Sequence, residues 1–229
     1  MLIGIVSCIY KRPKLTECFL VQLARLKLMG AYPIIAGSEG HISEGLVKKY
    51  GIHYIECSNS PLGAKFNRVM AEMRKIYPQY VMVLGSDDFI TDDYFKNALN
   101  INGCDMAGTI DMYFYHLKTK RLGYWAGYTQ ETRRLGETIG LGRMLNCKLL
   151  DKCNWMPWVS GANKGLDGSM TARLKRFHPR IKRMSLAESG LFAVDIKSDM
   201  NITPFGCFEH QVQFVDRTLM NQIPEYKLL

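Results

Sequence analysis

At 229 residues the chain suits one globular domain with a sizeable core, and 47% hydrophobic against 22% charged residues excludes a disordered or fibrous protein. No apolar stretch approaches the roughly 20 residues of a membrane-spanning helix. Seven cysteines with no Cys-x-x-Cys pair argue against a disulfide scaffold or a zinc site and for free thiols in a reducing cytoplasm.

The apolar start, Met1 to Tyr10, carries no basic leader and reads as a core strand over 2–7 rather than a signal peptide. From there helices are expected over 14–29, 43–50, 63–76 and 92–99, and strands over 32–36, 52–56 and 80–84, with Gly30, Gly51 and Pro78 as punctuation at helix exits. Strand alternating with helix predicts an α/β fold with a parallel sheet covered on both faces. Beyond residue 103 the pattern loosens. A strand over 104–110 and an aromatic hairpin over 112–128 are followed by a short helix entered from 140–144 and running through Asp151. Trp155-Met-Pro-Trp158 reads as a stiff loop, Asp167 as the cap of a basic helix, and 191–196 as a closing strand.

The run Tyr80-Val-Met-Val-Leu-Gly-Ser-Asp87-Asp88 delivers two adjacent carboxylates at the end of a buried strand, the edge where ligands of parallel sheets bind. Such a pair repels itself unless a cation offsets the charge, and hard oxygen ligands suit Mg²⁺ or Mn²⁺. A solvated turn is the plain alternative, and Asp92-Asp93 reads as just such a helix start. Charge is also concentrated. Residues 112–187 hold 15 Lys or Arg against 4 Asp or Glu, a net of +11 within the chain's +9, and 168–187 contain six cations and no acid. A polyanion partner and a solvated face both fit that block.

These motifs together resemble glycosyltransferases of the GT-A fold, particularly the family-2-like group. Ser7-Cys-Ile-Tyr10-Lys11-Arg12-Pro13 stands in place of that family's turn after the first strand, with Lys11 where Asn is usual, and Gly85-Ser86-Asp87-Asp88 in place of its acidic metal motif. The likeness covers residues 1 to about 100 well and the remainder loosely. It implies a mostly parallel, Rossmann-like sheet in which 1–103 bind the nucleotide sugar and a mixed portion, 104–229, binds the acceptor. Carried over by residue, Ser7, Tyr10 and Arg12 lie at the nucleotide, Tyr10 stacking on the base. Ser38 or Glu39 approaches the base or ribose, Lys65 and Asn67 flank the nucleotide, and Asp87 faces the ribose or the metal. Asp88 ligates Mn²⁺ or Mg²⁺, and His210 is a late metal ligand or an ordinary surface residue. Leu166-Asp167-Gly168 resembles the family's base motif, making Asp167 the base of an inverting reaction.

The expected function is metal-dependent transfer of a sugar from a nucleoside diphosphate, uridine favoured, to a hydroxyl. Trp155 and Trp158 would form a stacking platform for the acceptor or pack in the core, and Arg173, Lys175 and Arg176 would face an acidic partner. A hydroxymethylated base in DNA, flipped outward, is one acceptor that fits, since some virus-encoded glycosyltransferases modify such bases. A surface polysaccharide or lipid-linked acceptor also fits. A metal-dependent nuclease and a non-catalytic nucleic-acid binder stay open as rival classes.

Overall fold

The computed structural model describes all 229 residues, Glu131 by its backbone alone. In chain order the first half holds β1 (Ile3–Cys8), α1 (Pro13–Leu28), β2 (Ala31–Gly37), α2 (His41–Lys49), β3 (His53–Glu56), α3 (Leu62–Met73), β4 (Tyr80–Val83), β5 (Asp88–Ile90) and α4 (Asp92–Leu99). The second half holds β6 (Met106–Thr109), β7 (Met112–His116), β8 (Arg121–Trp125), β9 (Arg143–Asn146), α5 (Cys147–Lys152), α6 (Leu166–Lys175), β10 (Ile181–Met184), α7 (Leu186–Ser189), β11 (Ala193–Lys197) and β12 (Val212–Val215).

Seven strands form the main sheet in the order β10-β6-β9-β4-β1-β2-β3. Period-two alternation splits each central strand between two cores. Ile3 and Ile5 of β1 and Tyr80 and Met82 of β4 pack on one face with α1 residues Leu15 to Leu26. Val6 and Cys8, with Val81 and Val83, pack on the other with α3, α5 and α6, through Val69, Met73, Leu150 and Leu174. The expected α/β architecture is therefore present, with helices on both faces.

Three departures matter for the site. The segment 143–146 is a strand, not part of a helix: Arg143, Met144 and Leu145 are all buried, and β9 inserts antiparallel between β4 and β6. A four-residue run buried on both faces leaves no helical period to read. The basic run 168–187 is also divided. Its end forms β10, whose Lys182 and Arg183 are exposed at the edge of the main sheet, where charge discourages pairing with another chain. Third, β5 and β11 belong to a second, five-stranded sheet, β12-β8-β7-β11-β5, in which β11 runs antiparallel to β5 and parallel to β7.

Trp155 and Trp158 lie in the second core, 0% and 1% exposed, against Tyr77 and Phe66 respectively. The indole of Trp155 donates to Asp151 Oδ1 at 2.8 Å. Trp155 is thereby removed from the expected stacking platform, whereas Trp158, though packed in this core, also contributes to the lining of a cleft at the carboxyl edge of the main sheet. Trp155→Ala is expected to cost about 3–5 kcal/mol, the scale of emptying a large aromatic site. Urea denaturation measures it, and a loss under about 1 kcal/mol would contradict the packing role.

Candidate active site

The loops after β1 and β4 open at the carboxyl edge of the main sheet into a cleft of about 790 Å³. The β1–α1 turn is built tightly. Lys11 and Arg12 both adopt left-handed backbone, each with φ 55°, and Pro13 starts α1 with a φ already suited to a helix. Glu39 accepts the Lys11 amide at 2.7 Å, and Thr16 Oγ1 donates to the Lys11 carbonyl at 3.0 Å. The turn aims Arg12 across the cleft, where its guanidinium meets Asp87 Oδ2 at 3.1 Å and Ser86 Oγ at 2.8 Å.

Asp88 opens β5 directly opposite Asp195 of β11, so the pairing of two short strands brings a second carboxylate to the first. Buried Gln22 of α1 fixes the β5 backbone, donating to the Asp88 carbonyl at 2.9 Å and accepting from the Ile90 amide at 2.7 Å. The Ile196 amide donates to the Asp87 carbonyl at 2.8 Å. Carboxylate oxygens of Asp87, Asp88 and Asp195 consequently lie within 4.8 Å of one another.

Burial first, then Asp195 and Asp87, push the Asp88 carboxyl well above the usual carboxylate range, against a hydrogen bond from the Gly85 amide. Burial pushes Asp195 up to about 6, opposed chiefly by Lys197, whose ammonium meets Asp195 Oδ2 at 2.7 Å. Lys197 is itself held between Phe114 and Phe208, 5.0 and 5.3 Å from the ring centres. Asp195 Oδ1 is buried and accepts no hydrogen bond. Three converging hard oxygen donors, one with an unused buried lone pair, fit a divalent cation such as Mn²⁺ or Mg²⁺.

Asp167 lies elsewhere along the same cleft, in the first turn of α6. It is not the helix cap: Gly165 takes that position with no side-chain hydrogen bond. The Asp167 carboxylate packs against Gly140, where a Cβ would stand only 2.2 Å from Oδ1. Among the described residues no hydrogen-bond donor engages it, which leaves it able to accept a proton from a ligand.

No family model and no curated protein matches the chain, but solved structures do match its shape. S. aureus TarS superposes with a TM-score of 0.61 at 14% identity, over 86% of this chain and 37% of its own. A mannosyltransferase from Pyrobaculum calidifontis, solved with GDP-Man and Mn²⁺, gives 0.59 at 10% identity over 90% and 59%. The inositol-1-phosphate CTP transferase of T. maritima gives 0.55 at 10% identity over 98% and 96%. The chain has a GT-A-like fold. It spans 37% and 59% of the length of the first two of these proteins, less than two thirds of either.

Within this GT-A-like frame the expected site residues separate into those at the cleft and those beneath it. Tyr10, Arg12, Lys65, Asp87, Asp88, Trp158 and Asp167 line the cleft. Tyr10 is 40% exposed with the ammonium groups of Lys11 and Lys65 near its ring, at 5.2 and 5.9 Å from the centre. Lys65 is nearly buried and shares its three N–H bonds among Ile9 O, Ser38 Oγ and Asn59 Oδ1, tying three loops together. It supplies fixed positive charge rather than a free donor. Ser7 is corrected: it is wholly buried within β1 and is not among the residues that line the cleft. Glu39 and Ser38 are likewise spent on holding the turn and Lys65. Asn67 is committed to the 158–160 loop, donating to Trp158 O at 3.0 Å and Ser160 Oγ at 3.1 Å and accepting from Trp158 N at 3.2 Å. His210 is exposed and stands outside both the acid cluster and the cleft. Arg173, Lys175 and Arg176 lie along α6 away from the cleft, with Lys175 paired to Glu137 at 2.6 Å.

Asp195, Lys197 and Asn201 were not expected at the site. Asn201 donates to Asp87 Oδ2 at 2.6 Å and Arg12 binds the same oxygen, so Asp87 is held from two sides. The available signal for Asp195 was an acid inside the apolar run Ala193-Val-Asp-Ile196, which a strand buried on both faces does not tolerate without a purpose.

Proposed function

We propose that the protein is a metal-dependent transferase that moves a sugar from a nucleoside-diphosphate sugar to a hydroxyl acceptor, with inversion. The observation that carries this reading is the placement of two acidic sites in one cleft: the Asp87, Asp88 and Asp195 cluster, and the unpartnered carboxylate of Asp167. Asp88 and Asp195 would hold Mn²⁺ or Mg²⁺, with Asp87 beside them. A cation there neutralises charge developing on a departing diphosphate. Tyr10 offers its exposed ring to a nucleobase, and Arg12 and Lys197 place cations where phosphates would lie. Asp167 takes the proton of the incoming hydroxyl.

The mannosyltransferase solved with GDP-Man and Mn²⁺ supports the donor and metal class by likeness of fold. A thermal-shift panel of nucleotide sugars with Mn²⁺ tests the donor, followed by mass spectrometry of acceptors incubated with the best one. Stabilisation at 100 times Kd amounts to about 2.7 kcal/mol, enough to see. No shift from any nucleotide sugar would end the reading.

A second reading, nucleotidyl transfer, is favoured by the T. maritima neighbour, which matches nearly the whole length of both chains. It predicts pyrophosphate release from a nucleoside triphosphate and a sugar phosphate. It leaves Asp167 without a task, because phosphorylated acceptors need no base to remove a hydroxyl proton.

If an extended polyanion such as DNA lies along α6, replacing Arg173 and Arg176 with Gln lowers the magnitude of the salt-dependence slope of binding by about 1–2. Fluorescence anisotropy across a salt series measures that slope, and an unchanged value would remove α6 from the interface.

A further inference from the structure

The reaction as proposed leaves a group of cations without work, Arg134 and Lys164 in the lining of the cleft and Arg143 and Lys175 behind it. Arg143 is the first residue of β9. Because β9 runs antiparallel to β4, with Arg143 opposite Val83, it stands at the same edge of the main sheet as the cleft. Its side chain is 0% exposed, yet only Nη2 is used, donating to the Thr138 carbonyl. Nε and Nη1 find no partner. Arg134 lines the cleft nearby. Its Nε pairs with Glu137 at 2.8 Å, its guanidinium lies 3.9 Å from the centre of the Tyr128 ring, and its Nη2 is also buried without a partner.

Three unpartnered guanidinium nitrogens thus gather in one region. An unsatisfied buried donor costs about 1–3 kcal/mol, and more when charged. A buried cation lacking an ion pair is costlier still. The charged groups surrounding Arg143 are Arg134, Glu137 and Asp167, with the Tyr128 hydroxyl beside them. Lys175 pairs with Glu137, and Lys164 lies at the rim of the cleft. Arg134, Arg143, Lys164 and Lys175 against Glu137 and Asp167 leave two positive charges in excess. The amino end of α6 adds to this field, because Gly165 caps it with no side chain and Leu166 to Gly168 line the cleft.

We propose that this corner is a subsite for an anionic group on the acceptor, a phosphate or a carboxylate, held by Arg134 with Arg143 behind it and the start of α6 beside it. This rests on the reading of Asp167 as the residue facing the acceptor hydroxyl. A planar guanidinium stacked on Tyr128 and tied to Glu137 is held in one orientation, which suits an oxyanion better than a mobile lysine would. The acceptor's anion and its reactive hydroxyl are then neighbours, as in a sugar phosphate, a phosphodiester-linked chain or a uronic acid.

The test is calorimetric titration of the metal-free protein with methyl phosphate, dimethyl phosphate and acetate. At least one is expected to bind, at least ten times more weakly to Arg134→Gln, with partial recovery in Arg134→Lys and no change in Arg12→Gln. Preference for the monoester, the diester or the carboxylate assigns the source of the anion. No binding by any probe, or binding lost in Arg12→Gln and retained in Arg134→Gln, overturns the subsite, the latter placing the anion at the donor end. The Arg134→Gln protein should keep the thermal shift given by nucleotide sugar and Mn²⁺. Failure of the wild-type protein to show that shift counts against sugar transfer itself, and the phosphate titration still decides the anion site.

Discussion

Asp88→Asn is expected to lower transfer by about 10²–10³-fold or more, the scale set by removing one strong electrostatic stabiliser from a developing anion. The same change is expected to make the metal-free protein slightly more stable. Asp88 is buried beside Asp87 and Asp195, and its carboxyl is raised well above the usual range, mainly by burial and then by those neighbours. A carboxyl raised in the folded state contributes stability that is fully present below its unfolded pKa and lost as pH rises through the folded value. At neutral pH the metal-free protein therefore carries a penalty that Asn removes, while an Asn oxygen still accepts the Gly85 amide, now 2.6 Å from Asp88 Oδ2. A gain on the order of 1 kcal/mol corresponds to a Tm higher by about 2–4 °C in chelator. With Mn²⁺ the order should reverse, because only the wild-type protein retains the full ligand set. Calorimetric melts with and without metal check both halves. A variant that melts lower in chelator yet shifts normally with Mn²⁺ would show Asp88 to be a structural acid.

Asp167→Asn is expected to leave donor and metal binding intact and to reduce kcat by about 10²–10⁴-fold, the usual contribution of a positioned base. The fold should tolerate it. Asp167 does not cap α6, and no hydrogen bond to a described residue is lost. The amide keeps the shape that Gly140 accommodates. Single-turnover measurements with saturating donor separate the two effects, because a lost base slows chemistry without altering donor affinity. Unchanged turnover would remove Asp167 from the reaction and strengthen the nucleotidyl-transfer reading.

The first hundred residues were legible because β1, β2 and β3 pair in turn through single intervening helices and β4 returns beside β1, so strand and helix alternate along the chain. Apolar runs such as Ile3 to Val6 and Val81 to Leu84, the second closed by Gly85, declare themselves. Asp87 and Asp88 could be found because they follow one of those runs. Asp195 could not be placed beside them, since a pairing between strands roughly a hundred residues apart leaves no mark in either strand. The two tryptophans show the opposite difficulty. A Trp-rich loop reads the same whether it covers a ligand or fills a core, and only the packing of Phe66 and Tyr77 against the indoles decides. Ser7 was misplaced by a single position, since along β1 a shift of one residue exchanges the interior for the cleft. The basic block was visible as charge, but its division into α6, an edge strand and a buried Arg143 depends on where β9 inserts.

The partnership of β5 with β11 carries a consequence for biogenesis. A ribosome that has released only the parallel core has made a chain holding Asp87 and Asp88 but not the residue that stands across from them. If the three carboxylates hold a divalent ion as proposed, tight capture waits until β11 has emerged and paired with β5, so ion uptake during synthesis would act as a late seal on that pairing.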